Sequence, residues 1–197
     1  MKVFKPVYAV APGLVLLLLL TGCVSRVERI STDEQIDLSG SWNDTDSRLV
    51  AEAMSADILS AGWIFEYGDR RSDRPAIVVG QIQNRTHEHI STATFISDIE
   101  QALIDSERVR VLQGGSFREQ LRQERSEQQE YASADTAARL GREIGADYVL
   151  QGVVSSIVDS SRRERLIYYQ VDLQLTNVET TEKVWLGTEK IRKLVRR

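Results

Sequence analysis

Two histidines, His87 and His89, are the whole imidazole complement of this 197-residue chain, and they flank Glu88 directly behind Asn84-Arg85-Thr86. On an extended segment a His-x-His pair sets both rings on one side, which is how many zinc sites begin. A site needs further ligands, and Glu88 alternates to the opposite side, so the pattern favours a polar loop over a metal centre. Nucleophilic catalysis needs a base beside the nucleophile and a third group to orient it. With a single Cys, Cys23, and both histidines in one loop, only an unsupported Ser–His pairing remains. Gly114-Gly115 lacks the Lys and the spacing of a phosphate-cradling loop, so a helix-entry turn is its expected role. Asp44 and Asp46 lack the Gly and the distal Glu of a calcium loop, so helix capping is the better reading. No cofactor is expected, and the chain reads as non-enzymatic.

Composition narrows the partners. The formal charge is -4 and the pI is near 5.4, so no broad basic field attracts nucleic acid phosphates. One Cys and 3 Pro rule out a disulfide framework, a multi-Cys zinc site and a Pro-rich recognition tract. Core packing has to hold the fold. Five of the last eight residues, Lys190, Arg192, Lys193, Arg196 and Arg197, are basic. The pattern reads them as a solvated tail able to touch an anionic polymer or lipid.

The chain opens as an address. Lys2 and Lys5 precede an apolar run ending at Leu20, the charged and hydrophobic regions of a secretory signal. From Val7 to Leu20 there are 14 positions, broken by Pro12 and Gly13, short of the roughly 20 apolar residues a spanning helix needs. Leu20-Thr21-Gly22-Cys23 resembles the bacterial lipobox, which implies cleavage after residue 22 and acylation of Cys23. Cleavage leaves 175 residues with 23 basic and 29 acidic side chains, a formal charge of -6. Val24 and Ser25 are not the Asp that retains lipoproteins in the inner membrane of enteric bacteria, so the resemblance implies the outer membrane, with the domain on its periplasmic side. Residues 23–41 show neither strand nor helix periodicity and read as a lipidated N-terminus and short flexible tether, with a globular domain over 42–197.

The elements that position these residues follow from periodicity. Leu49, Val50, Ala53, Met54, Ile58 and Leu59 recur at helical spacing from Asp46 to Ala61, with Gly62 as the stop. Ala76-Ile77-Val78-Val79-Gly80 is a buried strand bounded by Pro75 and Gly80, followed by a polar loop. Ser91 or Thr92 caps a helix with Phe95, Ile96, Ile99, Ala102 and Leu103 on its inner face. Val109 to Leu112 is a second short strand. Gly114 to Glu130 is a solvated helix with Phe117 and Leu121 as its inward pair, and Ser133 caps another helix over Asp135–Ile144 that stops at Gly145. Three strands close the chain at Asp147–Val158, Arg165–Val178 and Lys183–Ile191, the last two joined by a Glu179-Thr180-Thr181-Glu182 hairpin turn. The expected fold is α/β in the α+β sense: a single mixed sheet of about five strands with an antiparallel C-terminal meander and about four helices on one side.

Several segments together resemble the LpoB-like lipoproteins, outer-membrane activators of bifunctional penicillin-binding proteins. They are Ser41-Trp42-Asn43-Asp44-Thr45-Asp46, Asn84-Arg85-Thr86 with His89-Ile90-Ser91-Thr92, and Leu140-Gly141 with Gly145-Ala146-Asp147-Tyr148. Tyr168-Tyr169-Gln170-Val171, Val178-Glu179-Thr180 and Val184-Trp185 complete the set, which covers about Trp42 to Leu194. The resemblance implies a non-catalytic periplasmic domain, similar in fold to the N-terminal domain of TolB-type proteins, that docks on a peptidoglycan synthase. Two departures stand out. Enteric members carry a long Pro-rich tether where the mature chain here has only Pro75, and their Glu-Thr-Gly turn has Thr181 in place of Gly. The alternatives are an envelope scaffolding lipoprotein, a small ligand-binding lipoprotein or a small hydrolase. For partner docking the candidate residues are Asn84, Arg85, Thr86, His87 and His89, at the carboxyl end of a strand and including an arginine of the kind enriched at hot spots.

Overall fold

Strand-forming alternation is strongest in the C-terminal third, and there the sheet is anchored. The computed structural model describes residues 26–31, 34–37, 39–130 and 145–196. The chain divides into two compact units, Met1–Glu34 and Gln35–Arg197. In the first, the described residues carry no helix or strand, and Glu34 N donates to Ser31 O at 3.2 Å.

The second unit runs α1 (Asp44–Ser60), α2 (Trp63–Arg70), β1 (Ala76–Arg85), α3 (Thr92–Asp105), β2 (Arg110–Leu112), α4 (Gly115–Glu130), β3 (Tyr148–Ser160), β4 (Glu164–Asn177) and β5 (Lys183–Arg196). One five-stranded sheet has the order β2-β1-β3-β4-β5. β1 lies parallel to β2 and β3, while β3, β4 and β5 form the antiparallel meander. This is the mixed sheet expected, with four helices among the described residues. The Asp135–Ile144 helix and its Ser133 cap lie outside the described residues, as do Cys23, Val24 and Ser25.

In β4 every second residue from Ile167 to Leu175 is buried, Tyr169 among them. They face α1 and α3, whose stripes Val50-Met54-Ile58 and Phe95-Ile99-Leu103 close the core at i, i+4 spacing. α1 begins at Asp44 because Asn43 and Asp46 form a capping box: Asp46 N donates to Asn43 Oδ1 and Asn43 N to Asp46 Oδ2, each at 2.9 Å.

Several expectations are corrected by packing. Leu49, 42% exposed, and Ala53 sit outside the buried stripe of α1, where Ala51 and Ser55 take the inner positions. Phe117 and Leu121 of α4 are 63% and 47% exposed, so they form no inward pair. That helix is instead laced by its own surface pairs, such as Arg122 with Glu119 at 2.8 Å. β1 does not stop at Gly80: its pairing with β3 shifts register between Val79 and Ile82 and then continues to Arg85. α2 goes unforeseen, although Trp63 and Tyr67 at i, i+4 both bury against Tyr148. The basic C-terminal run is no tail, since β5 carries it to Arg196.

Asp37, Ser39 and Gly40, read from the sequence as tether, belong to the compact unit and line a shallow recess against Arg192–Val195 of β5. Gly40 is required there twice over. Its φ is +71°, and a Cβ would lie 2.3 Å from Val195 Cγ2.

Candidate functional site

The segment after β1 is closed by its own side chains. Asn84 Oδ1 accepts from Thr86 N at 2.9 Å and from Thr86 Oγ1 at 2.7 Å, and Asn84 Nδ2 donates to Glu88 O at 2.8 Å. Glu88 N in turn donates to Thr86 Oγ1 at 3.1 Å. Asn84 and Thr86 therefore shape the turn, the ordinary use of Asn and Thr where backbone groups lack ladder partners.

The turn parts its remaining residues. His87 and His89 are exposed. Glu88 points the other way, toward the helical side of the sheet, where Oε2 accepts from Tyr169 OH at 2.8 Å and from Trp42 N at 3.0 Å. The Trp42 ring meets the Tyr169 ring edge-on at 5.4 Å, and Trp42 Nε1 donates to Ser47 Oγ at 2.7 Å. Burial, then the bond to Glu88, pushes the Tyr169 hydroxyl far above its usual range, so it stays a donor. No group of three His, Cys, Asp or Glu suited to a metal ion occurs among the described residues.

Arg85 is the last residue of β1, paired with Ser155 of β3 and exposed on the face turned away from the helices. Its guanidinium holds Gln83 Oε1 at 3.0 Å. The five candidates are thus divided: Asn84 and Thr86 in the turn, His87 and His89 beyond it, Arg85 on the open face.

Lys193 fastens the N-terminal segment to β5. Its Nζ lies 2.6 Å from both Asp37 Oδ1 and Asp46 Oδ2, and 3.2 Å from Ser41 O. Burial by itself lowers the lysine pKa, but the bonds and charges of Asp37 and Asp46 outweigh it and leave the group above its usual value. At the opposite end of the sheet Asp147 ties three elements. It accepts from Tyr67 OH at 2.9 Å, Ala76 N at 2.8 Å and Arg71 at 3.0 Å, beside an open pocket of about 340 Å³ lined by Arg70, Tyr148 and Glu179. Burial, then the hydrogen bond to Asp147, raises the Tyr67 hydroxyl. Trp42, Tyr169 and Asp147 lie in segments that carry the family resemblance, which was the available signal for them, whereas Glu88 falls between two such segments and had none.

The family model for the peptidoglycan-synthase activator LpoB matches residues 46–191, a span that includes the turn, Asp147 and Tyr169. No curated protein matches the chain significantly. Among solved structures, the LpoB C-terminal domain from Escherichia coli is 20% identical, with a TM-score of 0.48, over 75% of this chain and 99% of that one. The LpoB C-terminal domain from Salmonella enterica is 17% identical over the same shares, with a TM-score of 0.46. Lipoprotein GNA1162 from Neisseria meningitidis is 16% identical over 60% of this chain and 83% of that one, with a TM-score of 0.40.

Proposed function

Since this chain belongs to the LpoB family of peptidoglycan-synthase activators, we propose that it is a non-catalytic, lipid-anchored activator of a bifunctional penicillin-binding protein, acting from the periplasmic side of the outer membrane. The family match over residues 46–191 carries the reading, because it spans α1 through most of β5. What the domain contributes is a surface: the carboxylates of Glu88, Asp147 and Asp46 are all engaged in holding elements together.

Cys23 supports the anchor, being the single thiol of the chain and standing behind Leu20-Thr21-Gly22. Each buried acyl CH₂ contributes about 0.8 kcal/mol of membrane affinity, so three chains hold the protein with very slow release. The second compact unit, which carries the sheet, starts at Gln35, so on this reading residues 24–34 serve as the spacer between it and the acylated cysteine. Fully extended it reaches roughly 36 Å, so the synthase is met close to the outer membrane. Arg85 is exposed at the end of β1 on the open face, His87 and His89 are exposed beyond the turn that Asn84 and Thr86 shape, and all three are available to a partner.

The test is a reconstitution. Full chain in detergent is added to a purified bifunctional synthase from the same envelope, and glycan polymerisation and cross-linking are followed. A several-fold rise in either rate is expected. Identical rates with and without the chain would overturn the activator reading.

A further inference from the structure

The sheet has a second face. Strand register sets Ile157 of β3 beside Tyr168 of β4 and Arg192 of β5, and the adjacent row sets Arg85 of β1, Ser155, Gln170 and Lys190 in line. These residues alternate with the buried ones, so they project away from α1 and α3. Ile157 is 67% exposed and Leu194, one row further along, 49%. Tyr168 is half-buried between them, its hydroxyl donating to Gln170 Oε1 at 3.0 Å. The apolar spot passes into a chain of fixed polar groups, where Gln170 Nε2 donates to Asp172 at 2.8 Å and Thr188 Oγ1 to Asp172 at 2.7 Å.

Around this spot stand Arg85, Lys190 and Arg192, all exposed, none in an ion pair among the described residues. Arg85 and Lys190 lie three strands apart, about 14 Å. Lys190 and Arg192 are neighbours on β5 and Arg85 closes the far side of the face, so the face is locally basic on a chain of formal charge -4. An apolar centre with a charged rim is the anatomy of a protein interface, and its sign selects an acidic counterpart. An anionic lipid surface fits less well: Asp172 stands within the face, and its directional polar ladder matches groups of fixed position.

We propose that this open sheet face docks an acidic, apolar-centred surface of the synthase, Ile157, Tyr168 and Leu194 supplying the contact and Arg85, Lys190 and Arg192 the charge that selects it. The inference rests on the activator reading and adds where the partner sits.

Tagged full chain in detergent serves as bait, and the penicillin-binding proteins of its own envelope, labelled with fluorescent penicillin, serve as probe. Arg85→Glu/Lys190→Glu/Arg192→Glu is expected to lower captured fluorescence about tenfold or more, and Ile157→Ser/Leu194→Ser likewise. Arg48→Glu/Arg70→Glu, the same kind of reversal on α1 and α2, is expected to leave capture intact. Unchanged thermal unfolding shows that each variant is folded. If the triple reversal captures labelled synthase as well as wild type does, this face is not the docking surface and the activator reading stands. If wild type captures no labelled protein, both fall. Reversal that abolishes binding to phosphatidylglycerol vesicles while synthase capture persists assigns the face to lipid and overturns the proposal. Reversal that abolishes a dimer in sedimentation, again with capture intact, assigns it to a second copy of the chain and overturns it equally.

Discussion

Glu88 and Tyr169, 81 positions apart, meet in a 2.8 Å hydrogen bond that pins the turn after β1 to the middle of β4. Both partners are committed, since Glu88 Oε2 also accepts from Trp42 N and the Tyr169 side chain is fully buried. Tyr169→Phe therefore removes one bond, for about 1 kcal/mol, whereas Glu88→Ala strands a buried hydroxyl and a backbone N–H, for about 2 to 3 kcal/mol. The double variant is expected to cost less than the two single changes added together, read by urea unfolding of all three proteins. Strict additivity would mean that the bond carries no coupling.

The same pair sets an alkaline limit. The folded Tyr169 hydroxyl holds its proton more tightly than in the unfolded chain, burial being the larger cause and Glu88 the next. The stability linked to that proton is fully present below the ordinary value of about 10 and is lost as pH rises toward the folded value. Tyr67 and Tyr148 are raised in the same direction, chiefly by burial. Unfolding free energy is thus expected to fall above pH 10, with tyrosinate absorbance of these three rings appearing together with loss of structure. Tyrosinate titrating to completion in a folded protein would contradict it.

How much of this was legible depended on the range over which residues cooperate. The strict alternation from Tyr169 to Leu175 marks β4 by itself, and the spacing of Phe95, Ile99 and Leu103 marks α3, because each periodicity is local. Gly80 looks like a stop only until β3 is paired with it: a Cβ there would sit 3.3 Å from Leu150 O, so the glycine admits a close neighbour instead of ending the strand. Phe117 and Leu121 have helical spacing but no sheet residue to cover them, which no local pattern reveals. Glu88 alternates away from the two histidines as extended geometry requires, yet its partner in β4 was invisible. The ordering of Asp37 depends on Lys193, 156 positions away, and reads as tether for that reason.

Lys193 and its two carboxylates differ in burial, and that difference is measurable. Asp46 and Lys193 side chains are 8% and 11% exposed, whereas Asp37 is 61% exposed. Lys193→Met leaves Asp46 buried without its cation and is expected to cost about 3 kcal/mol or more. Asp37→Asn loses an exposed partner and costs less than about 1 kcal/mol. The bond to Lys193 holds the Asp37 carboxyl below its usual 3.8, so its contribution is present above that pH and is lost as pH falls through the lower folded value. Lys193 runs opposite: its contribution is present below 10.5 and is lost as pH rises beyond the higher folded value. Denaturation of the two variants at neutral pH checks the ranking, and equal losses would refute it.

Thr181 occupies the left-handed region with φ +63°, in a turn where Thr181 N donates to Asn177 O at 2.9 Å. A β-branched side chain is strained there, and the family's glycine is the residue the backbone suits. Thr181→Gly is expected to raise stability by about 1 kcal/mol, relief of strain exceeding the entropy of the added glycine. Thr181→Ala is expected to gain less, because Ala keeps the Cβ. Thermal midpoints measured side by side decide it, a lower midpoint for the glycine variant going against the assignment.

Cys23 carries the anchoring proposal, and its test separates lipid attachment from folding of the sheet, since the unit that holds every strand begins at Gln35. A thiol behind Leu20-Thr21-Gly22 is the acceptor that lipobox chemistry needs, whereas a hydroxyl at the same place is too weak a nucleophile to take the diacylglycerol. Cys23→Ser is therefore expected to abolish incorporation of labelled palmitate and to leave the chain either unprocessed or released from membranes. Urea unfolding of the Gln35–Arg197 unit in the detergent-extracted variant should match wild type within about 0.5 kcal/mol, as expected for a change outside the span of that unit. Loss of label with loss of stability would mean that the cysteine is part of the fold. Equal palmitate labelling in the two proteins would remove the anchor, and with it the argument that the short spacer from Val24 to Glu34 keeps the domain beside the outer membrane.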